Sequence, residues 1–370
     1  MIYLDNAATG GYKPQSVQNA VLAAMKACAN PGRSGHRLAV AQAERVLACR
    51  NLLCELFDGY SNERVVFTKN CTEAMNLALL GCLEQGDHVV ISHLEHNAVV
   101  RPLEHLKRQG VITYDIVPLE NGILNPESFA ARVTPATKLC CVTAASNVTG
   151  LAPDLIAIRK ALPPSVLLVV DGAQGAGHLP ISMKETGIDA LTIAGHKGMG
   201  GIQGAGALLF SERMNPRPVL FGGTGSESFN RGMPAFYPDR LESGTLSYPA
   251  VCSLYEGALL VQAHCLAYGQ RLQRLTEALL PAIAALGKYK IYSAPNRCGI
   301  VSFAHVKRPS EEVAGILSDE YNIAVRGGLH CAPLAHEALS TMPEGLVRAS
   351  FSPLQGMREA NALIGALRRI

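Results

Sequence analysis

The chain has 370 residues, of which 48% are hydrophobic and 17% charged, and its formal net charge is +3. This length and apolar fraction are sufficient for a large core, and the length exceeds that of one typical domain. Because the net charge is small and Lys and Arg are scattered without a basic run, the composition gives no reason to expect a nucleic-acid or membrane partner.

The N-terminal stretch MIYLDNAATGGYKP contains an early acidic residue and no long apolar segment, so we expect no signal peptide. No apolar run approaches the ~20 residues that a helix needs to span a bilayer. The eleven cysteines are an odd number without a Cys-x-x-Cys pair. This pattern argues against a disulfide framework, a zinc ribbon and a thioredoxin motif. We therefore expect a soluble cytoplasmic protein with reduced thiols.

Short aliphatic runs alternate with amphipathic segments as far as about residue 210. The runs mostly lack polar alternation, as strands buried on both faces do. Helices are predicted over 72–86, ending near Gly86, and over 97–109. This βαβ rhythm predicts an α/β domain with a mostly parallel, seven-stranded sheet. Its predicted strands are ERVVFTKN, DHVVIS, TYDIVPL, KLCCVTAAS, VLLVVDGA, DALTIAG and GALLFS.

The pattern changes after about residue 250. A long helix is predicted over 250–285, interrupted near Gly269 and stopped near Pro281. It is followed by IYSAPNRCGIVSFAHV, a helix over 310–321, NIAVRGG, VRASFS and a closing helix. This order predicts a smaller α+β domain at the C-terminal end.

We accordingly divide the chain into a large α/β domain, 15–255, and a small α+β domain built from 1–14 and 256–370. The Gly- and Pro-rich stretch 214–249 has few regular signals. It is predicted to be a long functional or interface loop rather than a linker.

Ligands of open α/β sheets bind beyond the carboxyl ends of the strands, so polar residues that follow the predicted strands are candidate site residues. The glycine-rich segment IAGHKGMGGIQGAG contains no P-loop string, and GMGGIQ fails the dinucleotide fingerprint at its last position. For a lone lysine there, a solvated loop position is the alternative. The candidates are Thr72, Glu73, His96, Asn147, Asp171, Gln174, His196 and Lys197.

Asp171 and Lys197 together indicate one cofactor. An aspartate that pairs with the pyridinium nitrogen and a lysine that attaches the cofactor are the protein's contribution to pyridoxal phosphate chemistry. Asp171 could instead cap a helix. Thr72, at a helix start in TKNCTEAMN, suits a phosphate, or is part of an ordinary capped helix. His96 could cover the ring face, or be a surface histidine or a metal ligand with His93.

Nine segments in chain order resemble one family. They are YLDNAAT, CTEAMN, LEHNA, SNVTG, VDGAQ, AGHKG, ESGT, RGGLHCAP and VRASFS, which run from residue 3 to about 352. The chain resembles the class V aminotransferase-fold family, and more closely its group II cysteine desulfurases and selenocysteine lyases. The resemblance implies a fold type I transferase fold that depends on pyridoxal 5′-phosphate, and a homodimer.

The resemblance also implies roles by position. Lys197 would attach the cofactor, His96 would stack on its ring and Cys331 would act as the nucleophile. No metal site is implied. Asn147 and Arg348 would hold the substrate carboxylate. Thr245 would bind the cofactor of the neighbouring subunit. The other residues that bind the cofactor would be the Cys71 amide, Thr72, His96, Asp171, Gln174, His196 and Lys197.

The implied reaction converts L-cysteine, or L-selenocysteine, to L-alanine. Cys331 would take the sulfur as a persulfide for an acceptor such as an iron–sulfur assembly scaffold, a relay protein or a tRNA-modifying enzyme. His330 or Arg326 could favour its thiolate. The alternative to a nucleophile is a cysteine that serves only as a small buried apolar residue. We expect this for the cysteines on apolar runs, which are Cys28, Cys49, Cys54, Cys82, Cys140 and Cys141.

Three departures from the family pattern concern the site. Ala194 replaces a serine, Leu329 replaces a histidine, and Asn70–Cys71 replaces a glycine-threonine pair. Other reactions on this fold stay open, among them an aminotransferase or a lyase acting on another amino acid, because a fold does not determine a reaction. A partner-binding homologue without activity is disfavoured by the intact candidate residues, and a nicotinamide dehydrogenase by the missing fingerprint.

Overall fold

The computed structural model of the chain describes residues 1–27 and 29–370, so the expectation for Cys28 lies outside the described residues. As far as the end of the large sheet, the elements are β1 Ile2–Tyr3, α1 Gln15–Lys26, α2 Arg37–Leu56, β2 Val65–Thr68, α3 Cys71–Leu80, β3 His88–Ser92, α4 Asn97–Arg108, β4 Thr113–Val117, α5 Pro126–Ala130, β5 Thr137–Thr143, α6 Leu155–Ala161, β6 Leu167–Asp171, α7 Met183–Thr186, β7 Ala190–Ala194 and β8 Gly206–Phe210. They are followed by α8 Tyr248–Ala284, β9 Tyr289–Ile291, β10 Ile300–His305, α9 Ser310–Asp319, β11 Ile323–Ala324, α10 Pro333–Ala338, β12 Val347–Ser350 and α11 Met357–Leu367.

Strands β2 to β8 form one seven-stranded sheet in the order β2-β8-β7-β6-β5-β3-β4. Strand β8 runs antiparallel to β2 and β7, and the other neighbouring pairs are parallel. All residues of β3, β6, β7 and β8 are buried, which explains their unbroken aliphatic runs. The predicted α/β class and the mostly parallel seven-stranded sheet are confirmed.

The register of the sheet brings the ends of its central strands level. Asp171, the last residue of β6, pairs with Thr143 on β5 and with Thr192 on β7. Because β3, β5, β6 and β7 are parallel, the loops that follow them leave the sheet at the same edge. Residues that are distant in the chain therefore meet there.

Helix α3 ends earlier than predicted, at Leu80 rather than near Gly86. The carbonyl of Gly81 accepts a hydrogen bond from the Arg217 backbone N–H at 2.9 Å. This carbonyl therefore bonds to a neighbouring segment and not to an N–H group of a further helical turn. A Cβ at residue 81 would lie 2.8 Å from the Arg217 carbonyl oxygen, so this close approach also requires glycine.

Helix α8 runs without a break over 37 residues, Tyr248–Ala284, so the predicted helix over 250–285 with an end near Pro281 is confirmed and the predicted interruption near Gly269 was wrong. Gly269 serves a close contact, since a Cβ there would lie 2.5 Å from the His178 carbonyl oxygen. Pro281 lies in the last turn of the helix, which ends at Ala284.

By length and composition alone, α8 is apolar enough to cross a bilayer, with an 18-residue window of mean hydropathy 1.3. The expectation that no apolar run approaches that length is therefore corrected. The helix instead contributes to two cores. Ala250, Val251 and Leu254 join the core under the large sheet, and Leu275 and Leu279 join the core of the C-terminal part.

The C-terminal part forms the predicted smaller α+β unit. Its antiparallel sheet has the order β12-β10-β9, and β1 pairs in parallel with β11, which draws the N-terminus into this unit. The exact domain boundaries stay a prediction, because α8 is continuous across residue 255. The predicted loop over 214–249 contains no helix or strand in the described chain until α8 begins at Tyr248.

Candidate active site

The loops after β3, β5, β6 and β7 enclose a cavity of about 230 Å³ at the carboxyl edge of the sheet. The small domain closes it with side chains from the loops around β11 and β12. Of the predicted residues, Glu73, Thr245 and Cys331 do not line this cavity. Those that do are Cys71, Thr72, His96, Asn147, Asp171, Gln174, His196, Lys197 and Arg348.

Lys197 follows β7 in a turn that passes very close to another loop. A Cβ at Gly198 would lie 2.4 Å from the Ala176 carbonyl oxygen, so only glycine fits beside the lysine. Burial lowers the pKa of the Lys197 amine, and the Asp171 carboxylate opposes that shift. The Lys197 amine and the Asp171 carboxylate thus belong to one cavity.

Asp171 ends β6 and is 2% exposed. Its Oδ1 accepts hydrogen bonds from the Ala173 N–H at 2.9 Å and from the Cys71 thiol at 3.5 Å. The thiol of Cys71 also lies 3.2 Å from the Thr192 hydroxyl, and it therefore faces the sheet. Both hydrogen bonds to the carboxylate fall on one oxygen, which leaves Oδ2 available to a ligand in the cavity.

The start of α3 provides free donors at the same cavity. Asn70 caps the helix, with its Oδ1 2.9 Å from the Glu73 N–H. The N–H groups of Cys71 and Thr72 are the next two at this terminus, and within the described chain they have no partner. Free N–H groups at the positive end of a helix form an anion site. A phosphate fits here.

His96 caps α4, because its Nδ1 accepts a hydrogen bond from the Ala98 N–H at 3.0 Å. Burial lowers its pKa to about 4, so the ring is neutral and can lie against a planar ligand. His93 accepts a hydrogen bond from the Leu119 N–H at 3.4 Å. Among residues 1–27 and 29–370 there is no group of three or more side chains suited to a metal ion.

His196 and Gln174 contact the N-terminal segment. The Nδ1 of His196 lies 3.0 Å from the Thr9 hydroxyl, and burial lowers the pKa of this histidine to about 4. Gln174 donates from Nε2 to the Ala7 carbonyl at 2.9 Å. Ala194 lines the cavity with a methyl group, so the hydroxyl of the family's serine is missing.

Arg348 is 1% exposed and lies at the substrate side of the cavity. Its Nη2 pairs with Asp5 Oδ1 at 2.8 Å, and its Nη1 donates to the Asn147 carbonyl at 2.9 Å. Its Nε and the Asn147 Oδ1 are buried without a partner in the described chain. The unpaired Arg348 Nε suits the carboxylate of an amino acid, whereas the unpaired Asn147 Oδ1 is an acceptor and suits its amine. The role toward the carboxylate that the resemblance implies for Asn147 stays a prediction.

Cys331 is exposed, in contrast to most cysteines of the chain. Its carbonyl accepts a hydrogen bond from the Asn97 N–H at 2.8 Å, which holds the loop against the start of α4 beside His96. The Arg326 Nη2 lies 3.6 Å from Cys331 Sγ, and Arg326 also lines the cavity. His330 cannot supply a positive charge, because burial and Arg348 lower its pKa to about 2.

Arg326 and His330 were named in the sequence only as neighbours of Cys331, not as cavity residues. The backbone pairing of Arg326 with Arg348, at 2.8 and 3.1 Å, brings them there. Nothing in the local sequence marks that pairing. Leu329, which replaces a family histidine, is half-buried in the same loop.

The other cysteines mostly follow expectation. Cys49, Cys140 and Cys141 are buried, as predicted. Cys54, which lies in α2, and Cys82, which follows the end of α3, are only partly buried, so the expectation of full burial was wrong for these two. Thr245 is exposed and its hydroxyl lies 3.4 Å from Asn30 Nδ2, away from the cavity of its own chain. Its role toward a neighbouring subunit stays a prediction.

This fold and cavity define a pyridoxal-phosphate-dependent enzyme of fold type I: a lysine after β7, an aspartate at the end of β6 and an anion site at the start of α3. The profile of the aminotransferase class-V family matches residues 2–363. The chain belongs to this family, whose cofactor is pyridoxal 5′-phosphate.

Relatives share its full length. A probable cysteine desulfurase of Aeropyrum pernix is 32% identical and aligns over 100% of this chain and 94% of its own. The apo cysteine desulfurase of Thermococcus onnurineus NA1 superposes with a TM-score of 0.90 at 27% identity, over 100% of this chain and 94% of the other. The cysteine desulfurase CsdA of Escherichia coli superposes with a TM-score of 0.88 at 26% identity, over 99% and 94%.

Proposed function

We propose that this chain is a pyridoxal-phosphate-dependent cysteine desulfurase, which converts L-cysteine to L-alanine and takes the sulfur onto Cys331 as a persulfide. One observation carries the proposal: Arg326 lines the cavity of Lys197 and also contacts Cys331 Sγ at 3.6 Å. The Arg326 side chain therefore connects the exposed Cys331 thiol to the cavity in which an amino acid would react.

When bound, pyridoxal 5′-phosphate withdraws electrons from the substrate's Cα and so promotes loss of the Cα proton. Lys197 is the base that accepts this proton, since burial lowers the pKa of its amine toward the working range. Asp171 Oδ2 would hold the pyridine nitrogen, and the His96 ring would lie against the cofactor. The free N–H groups of Cys71 and Thr72 would bind the phosphate.

The chain also orients the substrate. The Arg348 guanidinium has Nε and further Nη hydrogens free for the carboxylate, and a planar fork of donors suits that group. The Asn147 side chain lies beside it and is fixed by donation from Nδ2 to the His330 carbonyl at 2.7 Å. This arrangement directs the substrate's side chain toward the loop of Cys331.

Cys331 acts as a thiolate nucleophile on the substrate's sulfur. A bond forms between Cys331 Sγ and that sulfur while the substrate's carbon–sulfur bond breaks. The carbon takes the electron pair and a proton, which gives alanine, and the transferred sulfur stays on Cys331. L-Cysteine and a thiol become alanine and a persulfide, so no further oxidant is required. The Arg326 guanidinium stabilises the negative charge on sulfur.

The test is alanine release from L-cysteine by the holoenzyme in the presence of a reductant that removes the persulfide. Cys331→Ala should lower the rate by about 100-fold or more. Cys82→Ala, at a partly buried cysteine that does not line the cavity, is the control and should keep the wild-type rate. Equal rates in wild type and Cys331→Ala would contradict the proposal.

We further propose a homodimer in the cytoplasm that delivers sulfur to an acceptor protein. The loop before α8 carries apolar side chains that a second copy would cover, with Phe221 76% exposed and Phe229 fully exposed. Thr245 lies in this loop, and in the dimer it would reach the neighbouring cofactor's phosphate. The exposure of Cys331 suits transfer to an acceptor. Light scattering that gives the mass of one chain would contradict the dimer.

A further inference from the structure

Three buried polar atoms of the cavity have no hydrogen-bond partner within the described chain. They are Asn147 Oδ1, His330 Nδ1 and Arg348 Nε, and their residues are 6%, 2% and 1% exposed. Buried polar groups are rarely left unpaired, because each costs desolvation free energy. The proposed function uses the arginine and the asparagine. It leaves the imidazole nitrogen without a role.

The hydrogen bonds of His330 define which ring nitrogen carries the hydrogen. Nε2 lies 3.2 Å from the Arg326 carbonyl oxygen, which can only accept, so Nε2 carries the hydrogen. Nδ1 is therefore a lone-pair acceptor. Burial and the neighbouring Arg348 keep the ring neutral. The ring packs on His336 with centroids 5.6 Å apart, which fixes its plane.

The site offers a distinct partner for each of the three atoms. The Arg348 Nε–H donates, and the substrate's carboxylate accepts. The Asn147 Oδ1 accepts, and the incoming amine donates. His330 Nδ1 also accepts, and in L-cysteine one donor is left, the thiol. The substrate's sulfur must lie toward Cys331 in order to be attacked, and His330 precedes Cys331 in the same loop.

We propose that His330 Nδ1 accepts a hydrogen bond from the thiol of L-cysteine and so selects an amino acid with a hydrogen-bond donor at this position. The inference rests on the proposed function. A thiol keeps its hydrogen at neutral pH. An amino acid with a methyl group at this position leaves the buried acceptor unpaired and is therefore disfavoured.

Two substitutions distinguish the roles of the two ring nitrogens of His330. His330→Gln keeps an N–H that reaches the Arg326 carbonyl and removes the acceptor at the Nδ1 position. His330→Asn places a carbonyl oxygen near the Nδ1 position and gives up the bond to Arg326. Asparagine also tolerates the left-handed backbone at this residue, where φ is +52°.

Equilibrium binding to the holoenzyme is measured in a Cys331→Ala background, which prevents sulfur removal. The ligands are L-cysteine and L-2-aminobutyrate, in which a methyl group replaces the thiol at nearly the same size. Cysteine should bind about tenfold more tightly, the difference expected for one buried hydrogen bond. His330→Gln should abolish this preference, and His330→Asn should restore most of it.

An equal Kd for the two ligands in the Cys331→Ala protein would overturn the role of His330, and this comparison needs no further variant. A parallel loss of affinity for both ligands in His330→Gln would also overturn it, because that result indicates a structural role. If wild type releases no alanine from cysteine, the proposed function fails, whereas the binding comparison still decides the role of His330.

Discussion

Asp5 Oδ1 and Arg348 Nη2 lie 2.8 Å apart and form an ion pair between the N-terminal segment and the substrate side of the cavity. The arginine side chain is 1% exposed and the aspartate side chain 22%. The nearby Asn6 side chain donates to the Ser350 carbonyl at 2.8 Å, which fastens the same segment to β12. The N-terminal segment therefore sets the position of the guanidinium.

Asp5→Asn removes the charge that compensates Arg348 and keeps an oxygen that can accept its hydrogen bond. Breaking a buried pair is costly, and because Asp5 is partly exposed we expect a loss of about 1–3 kcal/mol in the free energy of unfolding. Urea denaturation measures it. Glu312→Gln, in the exposed pair with Arg308, is the control and should change it by less than about 0.5 kcal/mol. Equal effects of the two changes would contradict the account.

Glu95 adds a pH dependence to stability. Its carboxyl is 0% exposed, and burial raises its pKa to about 8, against the opposing hydrogen bonds from the Ser92 hydroxyl and the Thr143 N–H. In the unfolded chain a glutamate titrates near ~4.3. Between these values the unfolded state loses its proton first, so rising pH favours unfolding.

Glu95→Gln removes this titration while keeping the shape of the neutral side chain. Between about pH 5 and pH 8 the wild type should lose stability relative to the variant, by up to about 1.4 kcal/mol per pH unit, and above about pH 8 the difference should level off. Chemical denaturation at one-unit pH intervals measures the difference. Parallel stability curves over that range would show that Glu95 titrates normally.

Gly269 lies where α8 passes the His178 carbonyl, and a Cβ would come within 2.5 Å of that oxygen. Gly269→Ala should therefore lower the free energy of unfolding by about 1–3 kcal/mol through overpacking. The control is Gly365→Ala in α11, where a Cβ meets no atom within 4 Å. It should raise stability by up to about 1 kcal/mol, since alanine is the better helix former. A stabilising Gly269→Ala would contradict the contact.

Arg326 is the cation beside the nucleophile, 3.6 Å from Cys331 Sγ. Arg326→Gln removes the charge and should slow formation of the Cys331 persulfide by about tenfold or more, the order expected for a hydrogen bond to a charged group. Rapid-quench mass spectrometry gives the rate. Arg101→Gln, an exposed arginine on α4, is the matched control. An unchanged rate in Arg326→Gln would show that the guanidinium does not contribute to persulfide formation.

The sheet and the core of the site follow from local features of the sequence. Aliphatic runs mark the seven strands because those strands are buried on both faces, and polar residues at their ends converge because parallel strands share one edge. Lys197, Asp171 and His96 were found in this way.

Other site features depend on contacts between distant segments. Asp5 pairs with Arg348 across 343 positions, and Arg326 and His330 reach the cavity through the pairing of Arg326 with β12. A single sequence carries no local signal for such pairs. The continuity of α8 through Gly269 was missed for a related reason. Gly269 is required by the close approach of a loop about ninety residues earlier, at His178, and does not mark a break in the helix.

The most direct test of the account is the mass of the peptide that contains Cys331, after the holoenzyme is mixed with L-cysteine without reductant. We predict one added sulfur on that peptide and an equal amount of alanine. The same mass shift should be absent from peptides of the buried cysteines and from the Cys331→Ala protein. Alanine and free sulfide without added sulfur on Cys331 would contradict a persulfide mechanism at this residue.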